Sequence, residues 1–170
     1  MANLITSSRI AFIPFLILSE LQEKYVQSLL IMLLISISDL IDGRVARSRE
    51  NKCKGGDIFD FVADFLVIFS IFMLWYLKQK VSLYLVFLVL FSFIAFSYIS
   101  FVKKRVVKNK IGQYVGAVCF SGIIVIFLAR LYFEKIYLGL TNLVLVIISI
   151  YLIISMVENI WNVIKKDYFF

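Results

Sequence analysis

Six stretches of about 20 mostly apolar residues follow one another along this chain, and this restricts the fold more than any other feature. A helix needs about 20 such residues to cross a bilayer. The stretches fall at residues 4–20, 27–47, 57–77, 81–102, 111–132 and 137–163. The first is the weakest, because Arg9 interrupts it; it also holds Pro14, the only proline and a point for a kink. No alternation of period two is sustained, which argues against a β-barrel. Of the 170 residues, 62% are hydrophobic and mean hydropathy is +0.97, more apolar surface than a soluble core can hide. The expectation is one domain over residues 1–170, an all-α integral membrane protein of six transmembrane helices. Arg9 followed by the short apolar run Ile10–Leu18 superficially fits a signal peptide. The following "SELQEK" offers no small-x-small cleavage site, so the segment is expected to be retained.

The basic residues orient the bundle. Arg47, Arg49, Lys52 and Lys54 follow the second span, and Lys103, Lys104, Arg105, Lys108 and Lys110 follow the fourth. Lys165 and Lys166 lie in the tail. The opposite connections hold Lys24, then Lys78 and Lys80, then Arg130 and Lys135. With six spans, the richly basic segments share one side with both termini, and the positive-inside rule makes that side cytoplasmic. The formal net charge of +7 therefore points to anionic headgroups or phosphate substrates rather than nucleic acid. The chain has no histidine, which removes a Ser-His-Asp triad, a His-ligated zinc site and an imidazole base. Cys53 and Cys119 lie too far apart in sequence to suggest a redox pair or a disulfide framework.

Five of the six aspartates lie in "DLIDGRVARSRENKCKGGDIFDFVAD", residues 39–64, where the second and third spans meet. Asp39 and Asp42 share a helix face, extended by Gly43, Ala46 and Arg47; Asp60 and Asp64 share another, with Gly56 one turn before. The short polar connection suggests antiparallel neighbours whose stripes face one cavity. Asp64 falls roughly 10 Å along the third helix. Carboxylates at that depth are costly unless paired or bound to cations, and four together raise one another's pKa. An all-oxygen ligand set suits Mg²⁺, Mn²⁺ or Ca²⁺, and four carboxylates can neutralise two divalent ions, a number suited to clamping phosphate. Gly43 and Gly56 allow close approach to the backbone or close helix packing. Arg47 suits a phosphate entering from the cytoplasm or an interfacial, topology-setting arginine. Asp57, directly after Gly55-Gly56, reads as a helix cap rather than a ligand. Asp39 and Asp42 alone also fit a solvated helix end; Asp60 and Asp64, in register inside an apolar run, do not.

The spacing D-x2-D-G-x2-A-R-x8-G-x3-D-x3-D, with Asp39, Asp42, Gly43, Ala46, Arg47, Gly56, Asp60 and Asp64 in its fixed places, resembles the signature of the CDP-alcohol phosphatidyltransferases. The opening "NLITSSRIAFIP" is similar to that family's N-terminal segment through Asn3, Thr6 and Arg9. The resemblance implies a six-helix membrane bundle, usually a homodimer, with a site open to the cytoplasm. It implies that Asp39, Asp42, Asp60 and Asp64 hold two divalent ions, Mg²⁺ or Mn²⁺, with Asp64 as general base. By the same matching, Thr6, Asp42, Gly43, Ala46, Arg47 and Gly56 bind the CDP moiety. The implied reaction is attack of an acceptor hydroxyl on the lipid-side phosphorus of a CDP-linked lipid, releasing CMP.

The acceptor is less legible. Glycerol 3-phosphate users often read "DPVADK" where this chain reads "DFVADF", with Phe61 and Phe65 in place of proline and lysine. The inositol phosphate pattern "SYxxAR" survives as Ser97 and Tyr98, but Val102 takes the arginine position. The serine-using "FGxxP" run is absent. Lys103, Lys104 and Arg105 suit either an acceptor phosphate or a topology-setting loop. The reading leans to glycerol 3-phosphate, with inositol phosphate or another alcohol as the alternative. A cation transporter or an inactive lipid-binding scaffold is the alternative of another class. "FLVIFSIFMLWYL" beyond Asp64 offers one serine and no continuing polar path, against a transporter.

Overall fold

In the computed structural model the described residues are 2–47, 56–102, 114–133 and 135–167, with side chains described over 8–38, 61–98, 114–133 and 135–161. They form six helices: α1 (Ala2–Leu21), α2 (Tyr25–Arg47), α3 (Gly56–Leu77), α4 (Leu83–Val102), α5 (Val115–Tyr132) and α6 (Tyr137–Asp167). No strand occurs among the described residues. Each helix coincides with one expected apolar stretch. α1 runs unbroken through Pro14. Arg130, expected in a connection, instead lies in the last turn of α5, for a reason given below. Val115–Tyr132 and Tyr137–Trp161 are long and apolar enough to cross a membrane by length and composition, and Tyr25–Ser38, Phe61–Leu77 and Leu83–Tyr98 are shorter apolar helices.

The bundle is apolar outside, and its apolar core encloses a set of buried polar groups. Leu30, Leu34 and Ile37 on α2, Phe87, Phe91 and Ile94 on α4, and Ile150, Ile153 and Val157 on α6 are exposed. Buried inside are Arg9, Ser19, Glu20, Ser28, Ser92, Thr141, Ser149, Ser155 and Asn159. Water would penalise that outer surface, whereas hydrocarbon accepts it. In hydrocarbon, interior polar groups join helices because there is no water to satisfy them. The serines show the local solution: Ser36 donates to the Met32 carbonyl and Ser149 to the Leu145 carbonyl, one turn back on their own helices.

Polar rungs set the register of the first three helices. Ser19 Oγ lies 2.8 Å from Ser28 Oγ near the α1–α2 turn, and Arg9 Nε donates to Ser38 Oγ at 3.3 Å at the far end, so α1 and α2 run antiparallel. Arg9 pairs with Asp64 on α3, and Glu20 accepts from Trp75 Nε1 at 3.0 Å; both rungs join residues 55 apart, so α1 and α3 run parallel. α1 packs closely on both α2 and α3. The expected direct α2–α3 contact is not among the main helix contacts of the described residues. The stripes themselves lie almost wholly outside the described side chains; among those described, Arg9 joins Ser38 and Asp64 to α1. Between the rungs the core is filled by Leu16, Met32, Val67, Ile71 and Phe72, with Trp75 edge-on to Phe72 and Phe127 at 5.8 Å each.

The end of the bundle remote from Asp64 is closed by a charged latch. Glu20, fully buried, accepts from Trp75 Nε1 and from Arg130 Nη1 at 2.6 Å, and Lys80 Nζ lies 3.8 Å away. Lys78 donates to the Glu20 carbonyl. The Arg130 guanidinium sits 5.2 Å from the Trp75 ring centroid and 5.6 Å from that of Tyr25. Burial, then neighbouring Arg130, push the Lys80 ammonium below the usual lysine range, with Glu20 partly opposing them. Arg130 therefore belongs to the packed bundle, because its counterion is inside it.

α1 and α3 end alike. Lys24 N–H donates to the Ser19 carbonyl and Glu23 N–H to the Glu20 carbonyl; Lys80 and Gln79 repeat this on Trp75 and Tyr76. These are Schellman caps, which place one residue in the left-handed region. Here those residues are Glu23 (φ 57°) and Gln79 (φ 55°) rather than glycine. Glu23→Gly is expected to raise stability by about 0.5–1 kcal/mol, measured by unfolding in detergent; a loss would show that the Glu23 side chain outweighs its backbone strain. On α5, a Cβ at Gly122 would meet Ile148 Cδ1 at 2.6 Å and Val144 Cγ1 at 3.2 Å. Gly122→Val is expected to cost about 1–3 kcal/mol by forcing α5 and α6 apart, read by the same assay, and an unchanged midpoint would contradict that packing.

Candidate active site

The register of the first three helices brings three helix ends to one end of the bundle. Antiparallel pairing sets the end of α2 beside the start of α1, and parallel pairing sets the start of α3 there as well. Thr6 is in the second turn of α1. Asp39, Asp42, Gly43, Ala46 and Arg47 occupy the last turns of α2, and Gly56, Asp60 and Asp64 the first turns of α3. The aspartate-bearing helix ends thus share one end of the molecule, opposite the Glu20 latch. The side chains of Thr6, Asp39, Asp42, Ala46, Arg47, Asp57 and Asp60 lie outside the described residues, as do Lys103, Lys104 and Arg105 altogether.

Asp64 is the signature carboxylate whose surroundings are described. Arg9 Nη1 donates to its Oδ1 at 2.7 Å. The Arg9 side chain is fully buried, while that of Asp64 is 20% exposed. The carboxylate therefore reaches the surface with a guanidinium behind it. An unpaired arginine inside an apolar bundle is expensive, and the contacts of Arg9 to α3 and α2 account for its place in α1. Sequence reasoning took Arg9 as an interruption of a weak span and as part of a matching motif; its partner went unassigned. The signal was present as one cation inside an apolar run, which requires an interior counterion.

Phe61 and Phe65 flank Asp64 on α3 and pack on α4 aromatics. Phe61 packs on Phe93 and Phe96, at centroid distances of 5.2 and 4.2 Å, and Phe65 on Phe93 at 3.7 Å. Their face of α3 joins α4, whereas Asp64 turns toward α1. The two departures from the glycerol 3-phosphate pattern are thus matched by α4 aromatics. Among the described residues no three His, Cys, Asp or Glu side chains gather to hold a metal; three of the four expected ligands have side chains outside that set.

An apolar-surfaced helical bundle with buried polar pairs set in an apolar core, and a carboxylate at one end, defines an integral membrane protein. Residues 1–161 match the CDP-alcohol phosphatidyltransferase family, and the chain belongs to it. It is also similar to a CDP-diacylglycerol--glycerol-3-phosphate 3-phosphatidyltransferase of Aquifex aeolicus (strain VF5), 30% identical over 92 residues. The match covers 52% of this chain and 51% of that relative, so it spans about half the length of each.

Proposed function

We propose that this chain makes phospholipid by transferring a phosphatidyl group, or its ether-linked counterpart, from a CDP-linked lipid to a small alcohol, releasing CMP. The observation that carries the reading is the gathering of the start of α1, the end of α2 and the start of α3 around an anchored, part-exposed Asp64. Family membership supports the reaction class. The relative's name favours glycerol 3-phosphate as acceptor. Lys103, Lys104 and Arg105, directly after α4, are proposed to attract its phosphate.

Asp39, Asp42, Asp60 and Asp64 are proposed to hold two divalent ions. The all-carboxylate set fits Mg²⁺ or Mn²⁺, and Asp64, part exposed and already oriented, suits a hard cation. Bound there, the ions would offset the charge of the pyrophosphate and of departing CMP. Thr6, Gly43, Ala46, Arg47 and Gly56 are proposed to seat the CDP moiety, with Arg47 pairing to phosphate. Asp64 takes the proton of the acceptor hydroxyl as its oxygen bonds to the lipid-side phosphorus; the bond from that phosphorus to the bridging oxygen breaks, and CMP leaves. The acyl chains stay in lipid, which explains why the site is built at the end of membrane helices. Six crossings, cytoplasmic termini, a cytoplasmic site and pairing into a homodimer complete the proposal.

A transporter needs a polar route across the bundle. Between Asp64 and the latch, α3 instead buries Val67, Ile68, Ile71 and Phe72. The test is CMP release by purified protein with CDP-diacylglycerol and Mg²⁺ against glycerol 3-phosphate, inositol phosphate, inositol and serine. Release dependent on glycerol 3-phosphate supports the full reading. Release only with another alcohol overturns the acceptor. No release with any acceptor, with Mn²⁺ and with an ether-linked donor, overturns the transferase.

A further inference from the structure

The geometry points to Arg9 as a positioning residue that sets where the Asp64 carboxylate stands, without itself touching substrate. This rests on the reading of Asp64 as the proton acceptor. Three observations carry it. Arg9 holds Asp64 Oδ1 at 2.7 Å, and Ser38 on α2 holds Arg9 through Nε at 3.3 Å, so one guanidinium ties α1, α2 and α3 together beside the reacting group. Arg9 is fully buried while Asp64 is 20% exposed; a phosphate arriving from solvent meets the carboxylate and not the arginine. Finally, the second rung between α1 and α3, Glu20 to Trp75, has the same residue separation as Arg9 to Asp64. The two rungs therefore mark one α1–α3 register, fastened separately at each end, in which Arg9 stands opposite Asp64.

The planar fork of arginine suits this task. It offers donors in fixed directions, one edge to a carboxylate and Nε to a hydroxyl, which the single ammonium of lysine cannot reproduce. Asp64 has two rotatable side-chain bonds and stands on a helix near the surface. Its oxygen must meet a hydroxyl within hydrogen-bond reach, and displacement by about 1 Å can cost on the order of 100-fold in rate. The Arg9 contact removes that freedom before substrate arrives.

The experiment has two arms. In metal-free protein, the unfolding midpoints of Arg9→Met, Asp64→Asn and the double variant are compared; the double is expected to lose no more than the worse single. In metal-loaded protein, Arg9→Met is expected to lower kcat about tenfold or more. KM for CDP-diacylglycerol and for acceptor should stay within about twofold, and Arg9→Lys should recover part of kcat. Ser38→Ala, which removes one contact and no charge, is expected to fold normally and to lower kcat a few-fold, and it serves where Arg9→Met does not fold. Additive midpoint losses, a rise in KM matching the loss of kcat/KM, or unchanged kcat in folded Arg9 and Ser38 variants would overturn the proposal. Near-normal turnover by Asp64→Asn with non-additive midpoints would instead remove the proton-acceptor reading while leaving the contact intact.

Discussion

Asp64→Asn is expected to lower phosphatidyl transfer by about 100-fold or more while leaving a folded, inserted protein. Loss of a general base typically costs on the order of 100- to 10,000-fold, and with no histidine in the chain a carboxylate is the natural proton acceptor. Folding should survive because an asparagine oxygen can still accept from Arg9, and Ser38 continues to hold the guanidinium. The buried cation loses a full counterion, so a stability loss of about 1–3 kcal/mol is expected, moderated by the partial exposure of Asp64. Rate and unfolding midpoint should be measured on the same preparation. Near-normal turnover in folded protein would remove Asp64 from the base role. Asp57→Asn is the matched control, expected to keep most activity because Asp57 stands outside the matched signature.

The second large effect concerns stability rather than rate. Glu20→Ala is expected to cost about 3–5 kcal/mol, because it leaves Arg130 buried without its counterion and Trp75 Nε1 without its acceptor. Glu20→Gln keeps an acceptor oxygen and should cost less, about 1–3 kcal/mol. The latch is eleven residues along α1 from Arg9 and eleven along α3 from Asp64, about 16 Å at helical rise. Activity per folded molecule should therefore be largely retained at temperatures where the variant is folded. Unfolding of Glu20→Ala within about 1 kcal/mol of the parent would contradict the latch as a main fastening of the bundle.

These expectations show which features can be read along a helix and which cannot. The six apolar stretches and the aspartate register are local properties, legible from spacing alone; α2 ends at Arg47 and α3 opens at Gly56, flanking the stretch that carries the motif. Which helix lies between which is not local. A short connection suggested that α2 and α3 face each other; among the described residues both pack on α1, where Arg9 has a partner on each. Glu20 was visible only as a carboxylate at the end of a span, ordinarily a solvated position. Its burial depends on Arg130, 110 residues away, and no periodicity carries that pairing. Phe61 and Phe65 read as departures from a substrate pattern, and only the α4 aromatics show that their face is a packing face.

The most direct test of the account follows label from glycerol 3-phosphate into the lipid fraction, using purified chain stripped of metal and then given back Mg²⁺ or Mn²⁺ in the presence of CDP-diacylglycerol. The account predicts no lipid label without metal, labelled phosphatidylglycerophosphate with one CMP released per product on add-back, and loss of both in Asp64→Asn. Transfer that persists without metal, or CMP released with no labelled lipid under any condition, would contradict it.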